Sequence, residues 1–283
     1  MGITSIGIVS PGEMGSAIAG KLTAKGLTVC WSSAGRSEKT QQRARRAGML
    51  ECGSLGALCE QSELILAVCP PHSAERVATQ IANLQYQGIY MDANAIAPTT
   101  ARTIQQITEH EGAEFIDASI IGPPPGHPSP TYLYLSGRQS AEITDVFSYC
   151  SLDIRWLGDE IGKASAIKMC HSAFGKGSLA LFFAVLAAAE ASDIRNDLLS
   201  LWEDKEDDYG LSNRLGENLR RARKSWRFAG EMGEVARTFD SLALPTGFHL
   251  AAEEIYERLS DLQGQEAGFD LDRLFSSIFA DRP

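Results

Sequence analysis

The chain of 283 residues lacks an excess of positive charge. Its formal net charge is −10 at pH 7, and 44% of its residues are hydrophobic while 22% are charged. This acidic balance argues against nucleic acid or an anionic membrane as the main partner. The one basic segment, 214–227, is interpreted as a solvated helix face, with a subunit contact as the alternative.

Paired cysteine motifs and membrane segments are also missing. The six cysteines include no C-x-x-C, and Cys52 and Cys59 have no zinc-type partners, so we expect reduced thiols and no metal site. The longest apolar run, 178–191, is shorter than the roughly 20 residues of a membrane span. The first residues show no basic region or cleavage site of a signal peptide. We therefore expect a cytoplasmic protein.

Strand signals are confined to the first 160 residues, where short β-branched runs alternate with helical spacing. This alternation predicts an α/β domain with a doubly wound, Rossmann-type parallel sheet. Strands are expected near 3–9, 27–32, 62–71, 88–95, 113–121, 130–137 and 153–158. Residues 161–283 show helical periodicity only, so we predict an all-α second domain with helices near 162–192, 196–205, 211–229, 231–243, 246–263 and 270–280.

A glycine-containing turn follows the first predicted strand in the segment GIVSPGEMG. The dinucleotide-binding pattern G-x-G-x-x-G is met here by Ser10, Gly12 and Gly15, with Ser in place of the first Gly. The second Gly lets the backbone approach a pyrophosphate, and the third permits close packing of helix on strand. The position between a strand and a helix favours cofactor binding over a plain βα turn.

No acidic residue stands at the end of the second predicted strand, in the segment WSSAGRS at 31–37. NAD-binding proteins usually carry an acid there for the ribose 2′-hydroxyl. Arg36, with Ser32 and Ser33 nearby, suits a 2′-phosphate instead. We therefore predict NADP(H) as the cofactor, the alternative being a polar surface turn with an incidental arginine.

The chain resembles the superfamily of β-hydroxyacid dehydrogenases and 6-phosphogluconate dehydrogenase. The resemblance rests on GIVSPGEMG, on MDANAIAP at 91–98, on DASIIGPPP at 117–125 and on GKASAIKMCHSAFGKG at 162–177. It is closest to a poorly characterised branch with a short helical C-terminal domain, matched by GEMGEVARTFDSLALPTGFH at 230–249. Cofactor contacts are predicted at Ser10, Pro11, Gly12, Glu13, Met14, Ser32, Ser33, Arg36, Cys69, Pro70, Pro71 and Asn94.

The departures from the family pattern fall on its substrate-binding residues. The resemblance places Ile121, Gly122 and Pro123 where the family has Ser-Gly-Gly, and Glu231 where it has a lysine. Ser172 stands at the position of a family asparagine. We predict that Ile121, Gly122, Pro123 and Glu231 line the substrate site, but these changes leave the substrate itself undefined.

Lys168 opens the longest apolar segment, with His171 and Ser172 three and four residues later on the same helical face. The resemblance implies that this helix carries the catalytic lysine. Lys168 is therefore predicted to act as general acid or base, with His171 or Ser172 positioning the substrate oxygen. The alternatives are a lysine that extends to solvent at a helix start and a histidine that serves the core. His127, in the proline-rich loop 122–130, is expected to be solvent-exposed.

These predictions indicate an NADP(H)-dependent oxidoreductase acting on a small hydroxy acid or alcohol, or on its carbonyl counterpart. An imine reductase-like enzyme and a non-catalytic NADP-binding sensor are the alternatives. A homodimer through the helical half is also predicted, because an apolar helix at roughly 164–192 leaves a hydrophobic face that the remaining chain is too short to cover.

Overall fold

The computed structural model describes residues 2–204, 211–263 and 270–279. The chain divides into two compact units, Met1–Met169 and Cys170–Pro283, which are described separately. The domain boundary predicted near residue 160 lies just before the long helix in which one unit ends and the other begins. That this boundary limits an independently folding domain stays a prediction.

The first unit contains an eight-stranded sheet with the order β3-β2-β1-β4-β5-β6-β7-β8. Its strands are β1 (Ser5–Val9), β2 (Thr28–Trp31), β3 (Leu50–Glu51), β4 (Leu64–Ala67), β5 (Ile89–Asp92), β6 (Glu114–Ile121), β7 (Tyr132–Ser136) and β8 (Asp153–Trp156). All neighbouring strands are parallel except β6 and β7, which are antiparallel. The predicted doubly wound Rossmann-type sheet is thus confirmed as a mostly parallel one.

Six helices accompany this sheet: α1 (Glu13–Thr23), α2 (Glu38–Arg46), α3 (Leu55–Glu60), α4 (Ala74–Ala82), α5 (Pro98–His110) and α6 (Ala141–Ser148). Both faces of the sheet are buried, as β4 illustrates. Leu64 and Leu66 belong to one hydrophobic cluster, whereas Ile65 and Ala67 belong to another. Such alternation into two cores is what a sheet with helices on both faces requires.

Two short elements were not predicted from the sequence, namely β3 and α3. The two residues of β3 are exposed, so they show no apolar run, yet they pair with β2. Helix α3 has a signal that could have identified it, because the Ser54 hydroxyl caps it by accepting the Ala57 N–H. Gly7 of β1 makes room for α3, since a Cβ there would lie 2.7 Å from the Leu58 side chain.

The second unit is helical in its described part. Helix α7 (Lys163–Ala191) begins in the first unit, and α8 (Arg195–Asp204), α9 (Leu211–Ala222), α10 (Ala229–Ser241), α11 (Gly247–Arg258) and α12 (Leu271–Phe279) follow. The predicted helix at 211–229 ends earlier than expected, because residues Ser225–Phe228 form a separate 3₁₀ turn.

Helix α7 is the one described helix that is long and apolar enough to cross a membrane by length and composition. It has 29 residues, and 44% of its most apolar window is buried within the protein. A buried central helix of a folded domain has the same features. The helix predicted near 162–192 is thus confirmed, but the comparison with a membrane span considered only the run at 178–191, about half of this helix.

Candidate functional site

The turn after β1 has the backbone geometry that the glycine pattern predicts. Ser10, at the position of the first Gly, adopts a left-handed φ of 65°, and its carbonyl accepts the Gly12 N–H at 2.7 Å. A Cβ on Gly12 would have only the Ser10 carbonyl within reach, at 4.0 Å. A Cβ on Gly15 would lie 3.3 Å from the Ile8 side chain. Gly12 therefore leaves open space at the start of α1, while Gly15 permits close packing on β1.

Three other predicted residues of this turn have contacts within the protein. Pro11 is buried, and Met14 packs against the core cluster that includes Ile8. Glu13, in the first turn of α1, lies 3.5 Å from the Arg43 guanidinium. These contacts shape the turn, and direct contact of the three side chains with a cofactor stays a prediction.

A cavity of about 530 Å³ lies where β1, β2 and β4 end. Ligand sites of α/β sheets form at such a place, because the chain leaves the adjacent strands β1 and β4 toward opposite halves of the sheet. Five of the residues predicted to contact the cofactor line the cavity, namely Ser10, Ser32, Arg36, Cys69 and Pro70. Its volume is in the range of small-molecule pockets.

A second arginine, Arg76 of α4, lines the same cavity and was missed from the sequence. Its Nη2 donates to the Ser73 hydroxyl at 3.3 Å, whereas Nε of Arg36 is buried without a hydrogen-bond partner in the described part of the chain. The described lining residues include no Asp or Glu. Two cations without a lining carboxylate fit an anionic group such as a 2′-phosphate.

Cys69 lies between these arginines and a buried acid. Burial, followed by the nearby charge of Asp92, raises the pKa of the Cys69 thiol to about 12, while the positive charges of Arg36 and Arg76 oppose this shift. The thiol is therefore neutral at physiological pH, and it is not suited to act as a nucleophile. Cys69 therefore forms part of the cavity wall and is not expected to react.

Three further residues of the predicted cofactor site make contacts that the sequence did not indicate. The Ser33 hydroxyl is bonded to the Glu51 carboxylate, and Pro71 begins a 3₁₀ turn ahead of α4. The Asn94 side chain is buried, and its carbonyl oxygen accepts the backbone N–H of Cys69 at 2.5 Å. Whether these three residues also touch a cofactor stays a prediction.

Lys168 lies in the first unit, in the second turn of α7, and it is half-buried. Its Nζ donates to the carbonyl oxygen of Ile120 on β6 at 2.9 Å. This contact fixes the ammonium beside the end of β6, where the predicted substrate residues begin. A lysine has three N–H donors, so this bond leaves donors for a substrate oxygen.

Asp117 of β6 holds the start of α7 and was not predicted to do so. Its Oδ2 accepts the backbone N–H groups of Gly162 and Ser165 at 3.0 and 3.1 Å and the Ser136 hydroxyl at 2.8 Å. Its Oδ1 accepts the Ser165 hydroxyl at 2.6 Å. A buried carboxylate on the unpaired amides of a helix start is a strong cap. Strand β6 therefore anchors α7 both at its first residues and at Lys168.

Asp92 and Asp117 are partners on the neighbouring strands β5 and β6, and both are fully buried. Burial raises the pKa of Asp92 to about 7, with a smaller contribution from the charge of Asp117. Burial also raises the pKa of Asp117, although its hydrogen bonds from Ser165 and Ser136 oppose the shift.

Asp92 is expected to lower the free energy of unfolding as the pH rises through 7. Its pKa in the folded protein, about 7, exceeds the ordinary value of 3.8, so the folded state retains a proton that the unfolded state has lost. At pH 6 this proton contributes about 1.4 kcal/mol to the free energy of unfolding, and nearly all of this contribution is lost by pH 8. Urea unfolding at both pH values should show a decrease for the wild type that exceeds that for Asp92→Asn by this amount. Equal decreases would show that Asp92 does not titrate in this range.

The predicted substrate residues of the first unit begin with Ile121, the last residue of β6, and continue into a tight turn. Gly122 has a φ of 131°, and a Cβ there would lie 2.7 Å from the Pro130 carbonyl, so only glycine fits. The carbonyl of Pro123 accepts the Thr131 hydroxyl at 2.5 Å, and Ile121 is half-buried. In the loop that follows, His127 is exposed, as expected.

In the second unit, Ser172 and Glu231 are bonded to each other. The Ser172 hydroxyl donates to Oε1 of Glu231 at 2.5 Å, and Lys176 of α7 forms an ion pair with Oε2. Lys176 was missed, although the spacing of Lys168, Ser172 and Lys176 at i, i+4 and i+8 is a signal that could have indicated it. A lysine thus lies beside position 231, but it belongs to α7 and not to the position at which the resemblance leads one to expect it. His171 is exposed, and its role stays a prediction.

Comparison with known families assigns both parts of the chain. The model for the NAD binding domain of 6-phosphogluconate dehydrogenase matches residues 5–156. A domain of unknown function, DUF1932, matches residues 189–259.

Individual proteins similar to this chain include the uncharacterised 28.5 kDa protein of Methanothermus fervidus, which is 26% identical over 71% of this chain and 77% of that protein. A solved structure of a conserved protein of unknown function, described as structurally similar to 3-hydroxyacid dehydrogenases, is 28% identical, with a TM-score of 0.66 over 93% of this chain and 100% of that one. The 3-hydroxyisobutyrate dehydrogenase of Mycobacterium tuberculosis, solved with L-serine, is 15% identical, with a TM-score of 0.69 over 98% of this chain and 100% of that one. The last likeness concerns the fold alone.

Proposed function

Because the chain belongs to the family of the NAD binding domain of 6-phosphogluconate dehydrogenase, we propose that it is an NADP(H)-dependent oxidoreductase. In this proposal hydride is exchanged between the nicotinamide and a small hydroxy acid or alcohol, or its carbonyl counterpart. Lys168 is the general acid and base of the reaction.

The observation that carries the cofactor proposal is the pair of arginines in the cavity at the ends of β1, β2 and β4. Arg36 has a buried Nε without a partner in the described chain, and no acid is found among the described lining residues. A guanidinium can bond a phosphate through two N–H groups, whereas a 2′-hydroxyl offers no charge to balance two cations. The open space at Gly12 suits a pyrophosphate at the start of α1.

The proton chemistry is assigned to Lys168. In the reductive direction its ammonium donates a proton to the carbonyl oxygen as negative charge develops there, and in oxidation the neutral amine accepts the hydroxyl proton. The hydrogen bond to Ile120 and the cap of Asp117 on α7 hold the ammonium in place. The nicotinamide, when bound, supplies or accepts the hydride. Hydride and proton together convert the carbonyl into the alcohol.

A substrate screen separates this proposal from its alternatives. Consumption of NADPH, followed by its absorbance, would be measured with aldehydes, ketones and preformed imines, and NADP⁺ reduction with hydroxy acids. Lys168 favours carbonyl and alcohol chemistry, so turnover of these compounds is the expected result. Turnover with imines alone would instead support an imine reductase. Tight NADPH binding without turnover of any compound would support a sensor.

A homodimer is also part of the proposal, supported by the surface of the second unit. Phe174 and Phe248 are each 82% exposed and Leu181 is 65% exposed. They line a cavity of about 590 Å³ formed by residues of α7, α10 and α11, with no Asp, Glu, Lys or Arg among its described lining residues. An apolar surface of this kind is typical of an interface between subunits.

Light scattering at micromolar concentration is expected to return twice the chain mass of 30.6 kDa. Phe174→Asp should shift the particle toward the monomer, because a buried charge in an apolar interface costs several kcal/mol. Leu50→Asp, which changes an exposed apolar residue of the first unit, is the matched control and should leave the mass unchanged. A wild-type mass of one chain would contradict the proposal.

A further inference from the structure

Asp92 is a buried titratable group that the proposed mechanism does not use. It ends β5, and none of its side chain is exposed. Its Oδ1 accepts the backbone N–H of Asn94 at 3.0 Å, and its Oδ2 accepts the side-chain N–H of the same residue at 2.8 Å. The ionised carboxylate serves both bonds well, since each of its oxygens acts only as an acceptor.

The hydrogen bonds continue from Asn94 to the cavity. With its Nδ2 bonded to Asp92, the amide of Asn94 turns its oxygen toward Cys69 and accepts the backbone N–H of that residue at 2.5 Å. Cys69 and Pro70 line the cavity assigned to the cofactor. A fully buried acid is thus linked to a wall of the cavity through a single side chain.

Among the titratable groups that are packed together here, Asp92 is the one expected to change its charge near pH 7. Asp117 faces it from β6, Cys69 follows β4, and Tyr90 precedes it on β5. Burial raises the pKa of Cys69 to about 12 and that of Tyr90 far above its usual value, so both are neutral. Asp117 accepts four hydrogen bonds, which favour its ionised form over that of Asp92.

We propose that Asp92 is a proton-linked positioning residue for the cofactor. As a carboxylate it fixes the Asn94 amide, and through it the Cys69–Pro70 wall of the cavity. Protonation replaces an acceptor by a donor that faces the N–H groups of Asn94, so the amide loses a partner and its hold on Cys69 weakens. Cofactor affinity then falls as the pH drops through 7. This inference rests on the proposed function of the cavity.

The first test compares the pH dependence of NADPH binding in two proteins. The dissociation constant would be measured by fluorescence between pH 6 and pH 8.5 at constant ionic strength. Affinity of the wild type is expected to rise roughly two- to tenfold across this range, the effect of one net hydrogen bond. Asn94→Ala removes the link but keeps Asp92, so it retains only the pH dependence that comes from the 2′-phosphate itself, which titrates near pH 6.

A second test needs no cofactor. Hydrogen exchange of the Cys69 amide, expressed as a protection factor, is expected to be greater at pH 8 than at pH 6 in the wild type. Asp92→Asn places a neutral amide where the protonated acid would be, so it should show the low protection at both pH values. Asn94→Ala should do the same, which keeps the test valid should one variant fold poorly.

The outcomes separate this inference from the proposed function. NADPH binding with the same pH profile in the wild type and Asn94→Ala, or wild-type protection that does not change with pH, overturns the role of Asp92 alone. Absence of NADPH binding to the wild type at every pH overturns the proposed function, and this inference with it. A steeper pH profile in the wild type together with pH-dependent protection supports both.

Discussion

Replacing Lys168 by Met is expected to lower turnover by roughly 10²- to 10⁴-fold, the usual effect of removing a general acid or base. Methionine keeps the length and apolar stem of the side chain but has no N–H for Ile120 or for a substrate oxygen. The Asp117 cap on the first turn of α7 does not involve Lys168, so the helix should still form. The measurement is the rate of NADPH oxidation with the best substrate of the screen.

Two controls give this result its meaning. Lys163→Met alters an exposed lysine of the same helix, which pairs with Glu160 at 3.4 Å, and it should keep its activity. NADPH affinity of Lys168→Met, measured by fluorescence, should stay near that of the wild type, because the arginine pair lines the cavity at the ends of β1, β2 and β4, whereas Lys168 is bonded to β6. Turnover within about threefold of the wild type would show that Lys168 is structural and that another group transfers the proton.

Replacing Arg36 by Ala is expected to weaken NADPH binding by roughly ten- to a hundredfold, the effect of losing a charge-assisted phosphate contact. NADH lacks the 2′-phosphate, so its affinity should change little. Arg76→Ala should act in the same direction if both cations face the phosphate. Calorimetric titration of both cofactors into the wild type and each variant measures these changes.

Arg45→Ala is the matched control for this series, since Arg45 is an exposed arginine on the neighbouring helix α2. It should leave both affinities unchanged. Equal losses of NADPH and NADH affinity in Arg36→Ala would contradict a role in phosphate recognition, because such a pattern indicates that the arginine shapes the cavity without bonding the phosphate.

The sequence was sufficient for the parts of the fold that depend on local patterns. The alternation of strand and helix predicted the sheet, and the turn at Ser10–Gly15 predicted the position of the cavity that Ser10 lines, because glycine requirements are local. A strand was predicted at 130–137, where β7 lies, but its antiparallel direction was not, since strand direction depends on the course of the connecting loop. Helix α3 was missed because it is short and its cap signal was overlooked.

The candidate site could be predicted less completely, because its missed residues act across long distances in the chain. Asp117 caps a helix that begins 46 residues later, at Lys163. Lys176 was missed because its partner, Glu231, lies on a different helix. Arg76 stands in an ordinary amphipathic helix, and only the position of α4 beside the cavity sets it apart. Residues of this kind are recognised by their neighbours in space.

The most direct test of the central claim is a calorimetric titration of the wild-type protein with NADPH and with NADH at the same ionic strength. The arginine pair predicts that NADPH binds at least about tenfold more tightly, the effect of one charge-assisted phosphate contact. Adding salt should reduce this preference, because the contact is electrostatic. Equal affinity for the two cofactors, or binding of neither, would contradict the account.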